Sequence, residues 1–212
     1  PVIREALKKA MKLIGAQFVL GETLKDALDN SKSYLKQNYR FSYDILGEGA
    51  RSDKQAMGYV NAYMTGLQTI GKTIPKDTPL FEAPGISVKL SALHPRYSLL
   101  KEERVLTELL PRLKDILLEA KKWNIAVSID AEEAGRLDIE LILFEALLQD
   151  PSFAGWNGIS FVVQGYQKRA FYVIDFLHKL AEKYQRVLPV RLVKGAYWDS
   201  EIKWAQVAGL SS

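Results

Sequence analysis

The spacing of hydrophobic residues along the chain changes after about residue 40. Before that point apolar residues recur every three or four positions, as in Ile3, Leu7 and Ile14. This spacing predicts two amphipathic helices whose opposite faces are rich in lysine. Further along, short apolar runs alternate with longer stretches of helical spacing. The pattern therefore predicts a helical segment over residues 1–40 and an α/β domain over residues 41–212.

The α/β region repeats a unit of one strand and one helix. Successive strands begin between 29 and 45 residues apart, which is the spacing of βα units in a parallel sheet. The stretches between them carry apolar residues at helical intervals. About five consecutive βα units are therefore predicted. Their strands are Phe41–Leu46, Gly85–Ser91, Ile125–Asp130, Ile159–Gln164 and a run that begins at Leu188.

A polar side chain stands at or near the carboxyl end of every predicted strand. In a (β/α)₈ barrel these ends converge on one mouth, where such enzymes place their chemistry. No glycine-rich phosphate loop follows the first strand, which argues against Rossmann and P-loop folds. We therefore predict part of a TIM-like (β/α)₈ barrel. The polar residues are Asp44, Lys89, Asp130, Gln164 and Arg191.

The number of predicted strands is too small for a closed barrel. Eight strands are needed, usually within about 250 residues, and the 212 residues here supply about five. Five parallel strands would leave two open edges. We therefore expect the chain to be a fragment that lacks the C-terminal part of its barrel.

Composition argues against several classes of protein. The chain has 29 Lys and Arg against 25 Asp and Glu, a net charge of +4 that is too weak to predict nucleic-acid binding through this segment. It has no cysteine and only two histidines, which argues against a structural metal site. His94 precedes a proline, so we expect it to be a surface or loop residue. No signal peptide or membrane-spanning run is visible, which predicts a soluble cytoplasmic protein with peripheral membrane contact left open.

The last predicted strand ends in an unusual set of residues. Val190 and Leu192 suit a strand buried on both faces. Arg191 lies between them, and a cation in a buried strand requires an anionic or electron-rich partner. Gly195 then allows the backbone to turn or to approach a ligand closely.

The residues at the predicted barrel mouth suit a ligand that carries an anion beside an uncharged reactive part. They also have simpler explanations. Lys89 and Asp130 are alternatively an interior ion pair, and Gln164 alternatively satisfies a backbone group. Tyr197 and Trp198 are alternatively aromatic side chains that pack in the core. The set contains Lys89, Asp130, Gln164, Arg191, Lys194, Tyr197 and the neighbouring Trp198.

Five segments, in order along the chain, resemble the proline dehydrogenase domain of the bifunctional bacterial proline utilization A (PutA) family. The resemblance implies an FAD-dependent oxidation of L-proline to 1-pyrroline-5-carboxylate, the first step of proline catabolism. It also implies that electrons pass to ubiquinone or another membrane quinone, and that the protein is peripheral to the inner membrane. The segments are Ser42–Glu48, Ser87–Tyr97, Ile129–Glu133, Val162–Arg169 and Arg191–Asp199.

The resemblance also implies roles for individual residues around the substrate. Lys89 would grip the proline carboxylate with Asp130 beside it, and Tyr197 would wall the pocket. Arg191 would contact the flavin near its N5 edge. Glu48 would be an acid further from the substrate.

Other residues would hold FAD, again as the resemblance implies. Gln164 would hold the flavin ring or its tail. The remaining residues that would line FAD are Val193, Lys194, Gly195, Ala196 and Trp198.

Two other interpretations stay open. One is a lyase in which Lys89 or Lys194 attacks a carbonyl to form a Schiff base, since a desolvated lysine can be a nucleophile. The other is an inert truncated barrel or assembly module that associates through its open edges. The family's later arginine pair and tyrosine lie outside these 212 residues, so we expect the segment alone to bind FAD poorly and to be inactive.

Overall fold

Two helices form the first part of the chain, as the apolar spacing predicts. In this computed structural model, which describes residues 2–15 and 19–210, they are α1 (Val2–Gly15) and α2 (Leu24–Leu35). The Thr23 hydroxyl accepts from the Asp26 amide at the start of α2, and the Asp26 carboxylate accepts from the Thr23 amide. This capping box satisfies two amides that a helix start leaves unpaired. These helices belong to a unit that ends at Phe41.

A parallel sheet dominates the second unit, which begins at Ser42. Its five strands lie in sequence order, each hydrogen-bonded to the next. The predicted series of five parallel strands is therefore confirmed. Strand β4 has the predicted bounds, whereas the others are shorter than predicted. The strands are β1 (Ser42–Asp44), β2 (Gly85–Val88), β3 (Val127–Ile129), β4 (Ile159–Gln164) and β5 (Val190–Val193).

Helices follow the strands in the βα order that the sequence predicts. One five-residue π turn, Val105–Leu109, joins two of them. None of the helices within residues 2–15 and 19–210 is long and apolar enough to cross a membrane. The helices are α3 (Asp53–Gly71), α4 (Leu90–Leu93), α5 (Glu102–Arg104), α6 (Leu110–Lys122), α7 (Leu137–Gln149), α8 (Ala170–Tyr184) and α9 (Trp198–Val207).

The core lies between the sheet and the apolar faces of these helices. Phe144 of α7 packs edge-on against Phe161 of β4, with ring centroids 5.1 Å apart. Of α8, Val173 is buried, whereas Ile174, which the apolar spacing favours, is 39% exposed. Burial of such side chains stabilises the fold by about 1.5–3 kcal/mol each. The fully buried residues of these helices and of the π turn include Val105, Leu109, Leu113, Ile116, Leu117, Ala120, Ile139, Leu143, Phe144 and Leu147.

Strand β5 is not buried on both faces, so that prediction was wrong. Val190 is 40% exposed and Leu192 is 69% exposed. In the described part of the chain β5 pairs with β4 alone. An apolar sequence gives a segment the propensity to form a strand. Whether that strand is buried depends on which elements pack beside it.

His94 lies in the loop after α4, as one part of its prediction allows, but it is buried and not at the surface. Its Nε2 lies 2.9 Å from Oε2 of Glu108, and its Nδ1 accepts a hydrogen bond from the amide of Arg96. Glu108 belongs to the π turn, which brings its carboxylate over the loop that follows α4. A His-Pro pair indicates a loop, but whether a distant helix covers that loop is a tertiary property.

We expect two alanine substitutions in α3 to change stability in opposite directions. A Cβ at Gly71 would lie 2.2 Å from Cδ2 of Trp123, whereas a Cβ at Gly58 would meet nothing within 4 Å. Gly71→Ala should lower the free energy of unfolding by about 1–3 kcal/mol through overpacking. Gly58→Ala should raise it by about 0.5–1 kcal/mol, since alanine favours the helix. Urea unfolding midpoints would measure both, and equal shifts would contradict this packing.

Candidate functional site

One carboxylate joins two cations at the carboxyl end of the sheet. Asp130 follows β3, and its Oδ2 lies 3.1 Å from Nζ of Lys89, the residue that follows β2. Its Oδ1 accepts a hydrogen bond of 2.7 Å from Nη2 of Arg191 on β5. Charge-assisted hydrogen bonds of this kind are about twice as strong as neutral ones. The structure thus brings three of the predicted site residues into one network.

Two further residues complete this network. Asp44, at the end of β1, places Oδ2 3.3 Å from Nζ of Lys89. The Ser87 hydroxyl accepts from Nη1 of Arg191 at 3.1 Å. Asp44 was predicted at a strand end and Ser87 was not among the predicted site residues. Alternation along β2 places Ser87 on the same face of the sheet as Lys89, and this is the signal for its place in the network.

Lys89 remains a charged ammonium in this setting. Burial disfavours its charge, but the hydrogen bonds and charges of Asp130 and Asp44 outweigh burial and raise the pKa of Lys89 above its ordinary value. A Schiff base requires the neutral amine. Lys194 is exposed and so lacks the desolvation that would activate it. The structure therefore gives the Schiff-base interpretation no support.

Tyr197 lies in the loop before α9, half-buried near the same charges. Burial, followed by the charges of Glu132, Glu48 and Glu133, raises its pKa to about 12, against the opposing charge of Lys89. Tyr197 is therefore a neutral phenol at physiological pH. It can wall a pocket and donate a hydrogen bond without adding charge.

Gln164, the last residue of β4, is buried and makes two hydrogen bonds to the backbone. Its Nε2 donates to the Glu132 carbonyl at 2.7 Å, and its Oε1 accepts from the Ala196 amide at 3.3 Å. Gln164 therefore satisfies backbone groups, which is the alternative role that its sequence position left open. The side chain thereby connects the loops that follow β3 and β5.

A continuous series of hydrogen bonds, which we call the loop belt, connects the carboxyl ends of all five strands. It joins residues that follow β1, β2, β3 and β5 to the last residue of β4. The Ser91 hydroxyl accepts from the Gly49 amide at 2.9 Å, and the Ser91 amide donates to Oε1 of Glu132 at 2.9 Å. The belt continues from Glu132 through Gln164 to Ala196. Sequence analysis missed Glu132 as a functional candidate, although it lies in one of the five quoted segments.

Two of the other predicted ligand-binding residues border a separate open cleft of about 820 Å³. Lys194 and Trp198 line it, together with apolar residues of α9. The hydroxyl of Tyr166 is buried at this cleft and completes no hydrogen bond among the described residues, although Gln167 and Glu201 lie near it. An unpaired buried hydroxyl calls for a partner. A large ligand with polar atoms fits this cleft.

Gly195 lies between the cleft and the loop belt in a conformation that requires glycine. Its φ is +111°, and a Cβ would lie 2.3 Å from Cδ1 of Tyr166 and 3.0 Å from Oε1 of Gln164. The backbone is therefore held against both side chains. Val193 is half-buried at the end of β5, just before this turn.

No group of three or more potential metal ligands occurs among the described residues.

The chain matches the family model described as "Proline dehydrogenase" over residues 27–212. It is 51% identical over 210 residues to the bifunctional protein PutA of Klebsiella aerogenes. That alignment covers 99% of this chain and 16% of the Klebsiella protein.

Solved structures of proline utilization A proteins also match this chain. A proline utilization A variant from Bradyrhizobium japonicum matches with a TM-score of 0.84 at 48% identity, covering 99% of this chain and 21% of that one. The protein from Bdellovibrio bacteriovorus, inactivated by N-propargylglycine, matches with a TM-score of 0.91 at 28% identity, covering 99% and 23%. These matches confirm the predicted part of a TIM-like barrel.

The chain spans about a sixth of the Klebsiella protein and less than a quarter of each solved chain. The matched range, residues 27–212, spans every strand of the sheet and the positions of the Asp130 network. The chain belongs to the proline dehydrogenase family.

Proposed function

We propose that the protein that carries this chain is an FAD-dependent proline dehydrogenase. It oxidises L-proline to 1-pyrroline-5-carboxylate and passes the electrons to ubiquinone or another membrane quinone, in peripheral contact with the membrane. The observation that carries the proposal is the network of Lys89, Asp130 and Arg191 at the sheet's carboxyl end in a member of this family. The quinone and the membrane contact rest on the family resemblance alone.

The cleft and the loop before α9 would hold FAD. Gly195 leaves the backbone free of a Cβ at this point, Trp198 offers an aromatic face, and Lys194 offers a cation. The unpaired hydroxyl of Tyr166 offers one polar contact. FAD, when bound, supplies a hydride acceptor at the flavin N5. Val193, Gln164 and Ala196 border the same turn.

Arg191 would contribute a fixed positive charge near the flavin. Its bonds to Ser87 and Asp130 use two of the five N–H donors of a guanidinium and hold its plane in place. Preorganised donors stabilise developing negative charge without the cost of reorganisation. We propose that the remaining N–H donors of Arg191 face the edge of the flavin ring that accepts electrons.

Lys89 would bind the carboxylate of proline. An ammonium has three N–H donors, and Asp44 and Asp130 take one each. The third is the donor that we propose for the substrate. Because both acids keep Lys89 charged, it can orient proline for hydride transfer from the carbon next to the nitrogen. Tyr197 would cover the pocket as a neutral phenol.

We expect an anaerobic absorbance experiment on the full-length protein to test the proposal directly. The purified protein should show flavin bands that bleach when L-proline is added. Arg191→Lys should slow bleaching by about 100-fold, since lysine cannot reproduce the two-armed contact to Ser87 and Asp130. Arg104→Lys, on the outer helix α5, should leave the rate unchanged. A folded protein without flavin bands even after FAD is added would exclude the proposed function.

Lys89→Met should separate substrate binding from flavin binding. Methionine keeps the length of the side chain but removes its charge, so the KM for proline should rise by about 10-fold to 100-fold. The flavin content should stay as in the parent protein. Lys101→Met, at an exposed position, is the control. Steady-state kinetics with an artificial acceptor would measure the effect, and an unchanged KM would exclude the carboxylate role.

Gly195→Ala should weaken FAD binding. The new methyl group would displace Tyr166 or Gln164, and φ of +111° is strained for alanine. We expect a loss of about 10-fold or more in flavin affinity, from about 1–3 kcal/mol of strain. Gly209→Ala is a matched control, because Gly209 also has a positive φ of +68° but no atoms within 4 Å of a built Cβ. Titration of the apoprotein with FAD should distinguish the two, and equal affinities would contradict the steric argument.

A further inference from the structure

Glu140 is a buried acid that the proposed reaction does not use. It lies on α7 among the core residues Ile139, Leu143 and Phe144, and it is 2% exposed. Its Oε1 accepts a hydrogen bond of 3.2 Å from the amide of Glu132. A carboxyl group in the apolar stripe of a helix costs free energy unless it has a purpose or a partner.

The groups around Glu140 do not neutralise a negative charge. Arg136 is the nearby cation, but it bonds to Glu132 at 2.5 Å and to Glu133 at 3.0 Å. Tyr97 has its hydroxyl buried beside Glu140 without a completed hydrogen bond among the described residues. The side chains that β4, the loop after it and α8 present to the adjoining cavity are uncharged: Val162, Val163, Gln164, Gln167 and Val173.

Glu140 is therefore held as a neutral acid near pH 7. Burial, and then the charge of Glu132, raise its pKa to about 8. In this form its carbonyl oxygen accepts from the Glu132 amide, and its proton is available as a donor. Ionisation would place two carboxylates side by side in the core, where they repel each other.

Glu140 is connected to the turn at Gly195 through two residues, Glu132 and Gln164. The amide of Glu132 bonds to Glu140, and the carbonyl of Glu132 accepts from Gln164, whose Oε1 accepts from Ala196. A cavity of about 10 Å³, with room for at most one water, lies between the Glu140 and Gln164 side chains. A shift of the Glu132 backbone therefore moves the acceptor on which Gln164 depends.

We propose that Glu140 is a positioning residue: its buried carboxyl accepts from the Glu132 amide, fixes the Glu132 backbone and thereby holds Gln164 and Ala196 in place for the flavin. Loss of the proton keeps this acceptor but places a second buried negative charge beside the Glu132 carboxylate, and that repulsion loosens the loop belt from Glu132 to Ala196. The proposal rests on the proposed function for its link to flavin, whereas the link from Glu140 to the belt stands on the hydrogen bonds themselves.

The test compares the full-length protein with Glu140→Gln below and above pH 8. Glutamine keeps the carbonyl acceptor and cannot ionise. In the parent protein, FAD affinity should fall by up to about tenfold per pH unit above the pKa of Glu140. The Glu140→Gln protein should bind FAD with little change over the same range. Glu145→Gln, on the outer side of α7 beside Lys183, should retain the parent's pH profile.

Amide hydrogen exchange gives a second readout that does not involve flavin. Corrected for intrinsic rates, exchange of peptides containing Glu132 and Ala196 in the flavin-free protein should accelerate above pH 8 in the parent but not in Glu140→Gln. Identical pH profiles in the parent and Glu140→Gln would overturn the proposal. If the parent neither binds FAD nor oxidises proline, but exchange still depends on Glu140, the proposed function fails and the positioning role survives.

Glu132→Gln is a second variant in case Glu140→Gln does not fold. It keeps an oxygen to accept from the Ser91 amide but removes the charge that raises the pKa of Glu140. The pH at which exchange accelerates should therefore move to lower values. An unchanged or higher transition pH would contradict the proposal.

Discussion

The arrangement of the site depends on one buried carboxylate. Asp130 accepts from Lys89 with one oxygen and from Arg191 with the other, so its position constrains the carboxyl ends of β2, β3 and β5 together. Removing an acid from between two cations would leave their charges uncompensated, which is costly in a partly buried setting. The second acid, Asp44, brings the local count to two cations and two anions. This four-residue network is therefore close to electroneutral before any ligand arrives, and recognition by it must come from the directions of its donors.

The regular parts of the fold were predictable because they follow from local periodicity. Helical spacing identified the buried faces of α6 and α7, and the length of an apolar run gave the bounds of β4. Burial of β5 was not predictable, because it depends on elements that pack beside a strand and not on the strand itself. The burial of His94 was missed for a related reason, since its partner Glu108 lies in a later helical turn.

The candidate site was predictable in its charged residues and not in its supporting ones. Lys89, Asp130 and Arg191 end up in contact because strand ends in a parallel sheet converge. Glu140 was visible as a charge inside an apolar stripe, which is an inconsistency between local pattern and chemistry. Such an inconsistency marks a residue for attention, but only the structure identifies the Glu132 amide as its partner.

The loop belt also affects how this barrel can change over evolution or in the hands of a protein engineer. TIM barrels accommodate many chemistries because each strand-to-helix loop can usually vary without disturbing the others. Here Gly49, Ser91, Glu132, Gln164 and Ala196 share one series of hydrogen bonds. An insertion or a graft in one loop would displace an acceptor in the next. The segments at the carboxyl end of this sheet are therefore not independent of one another. Replacing one of them requires replacing the others with it.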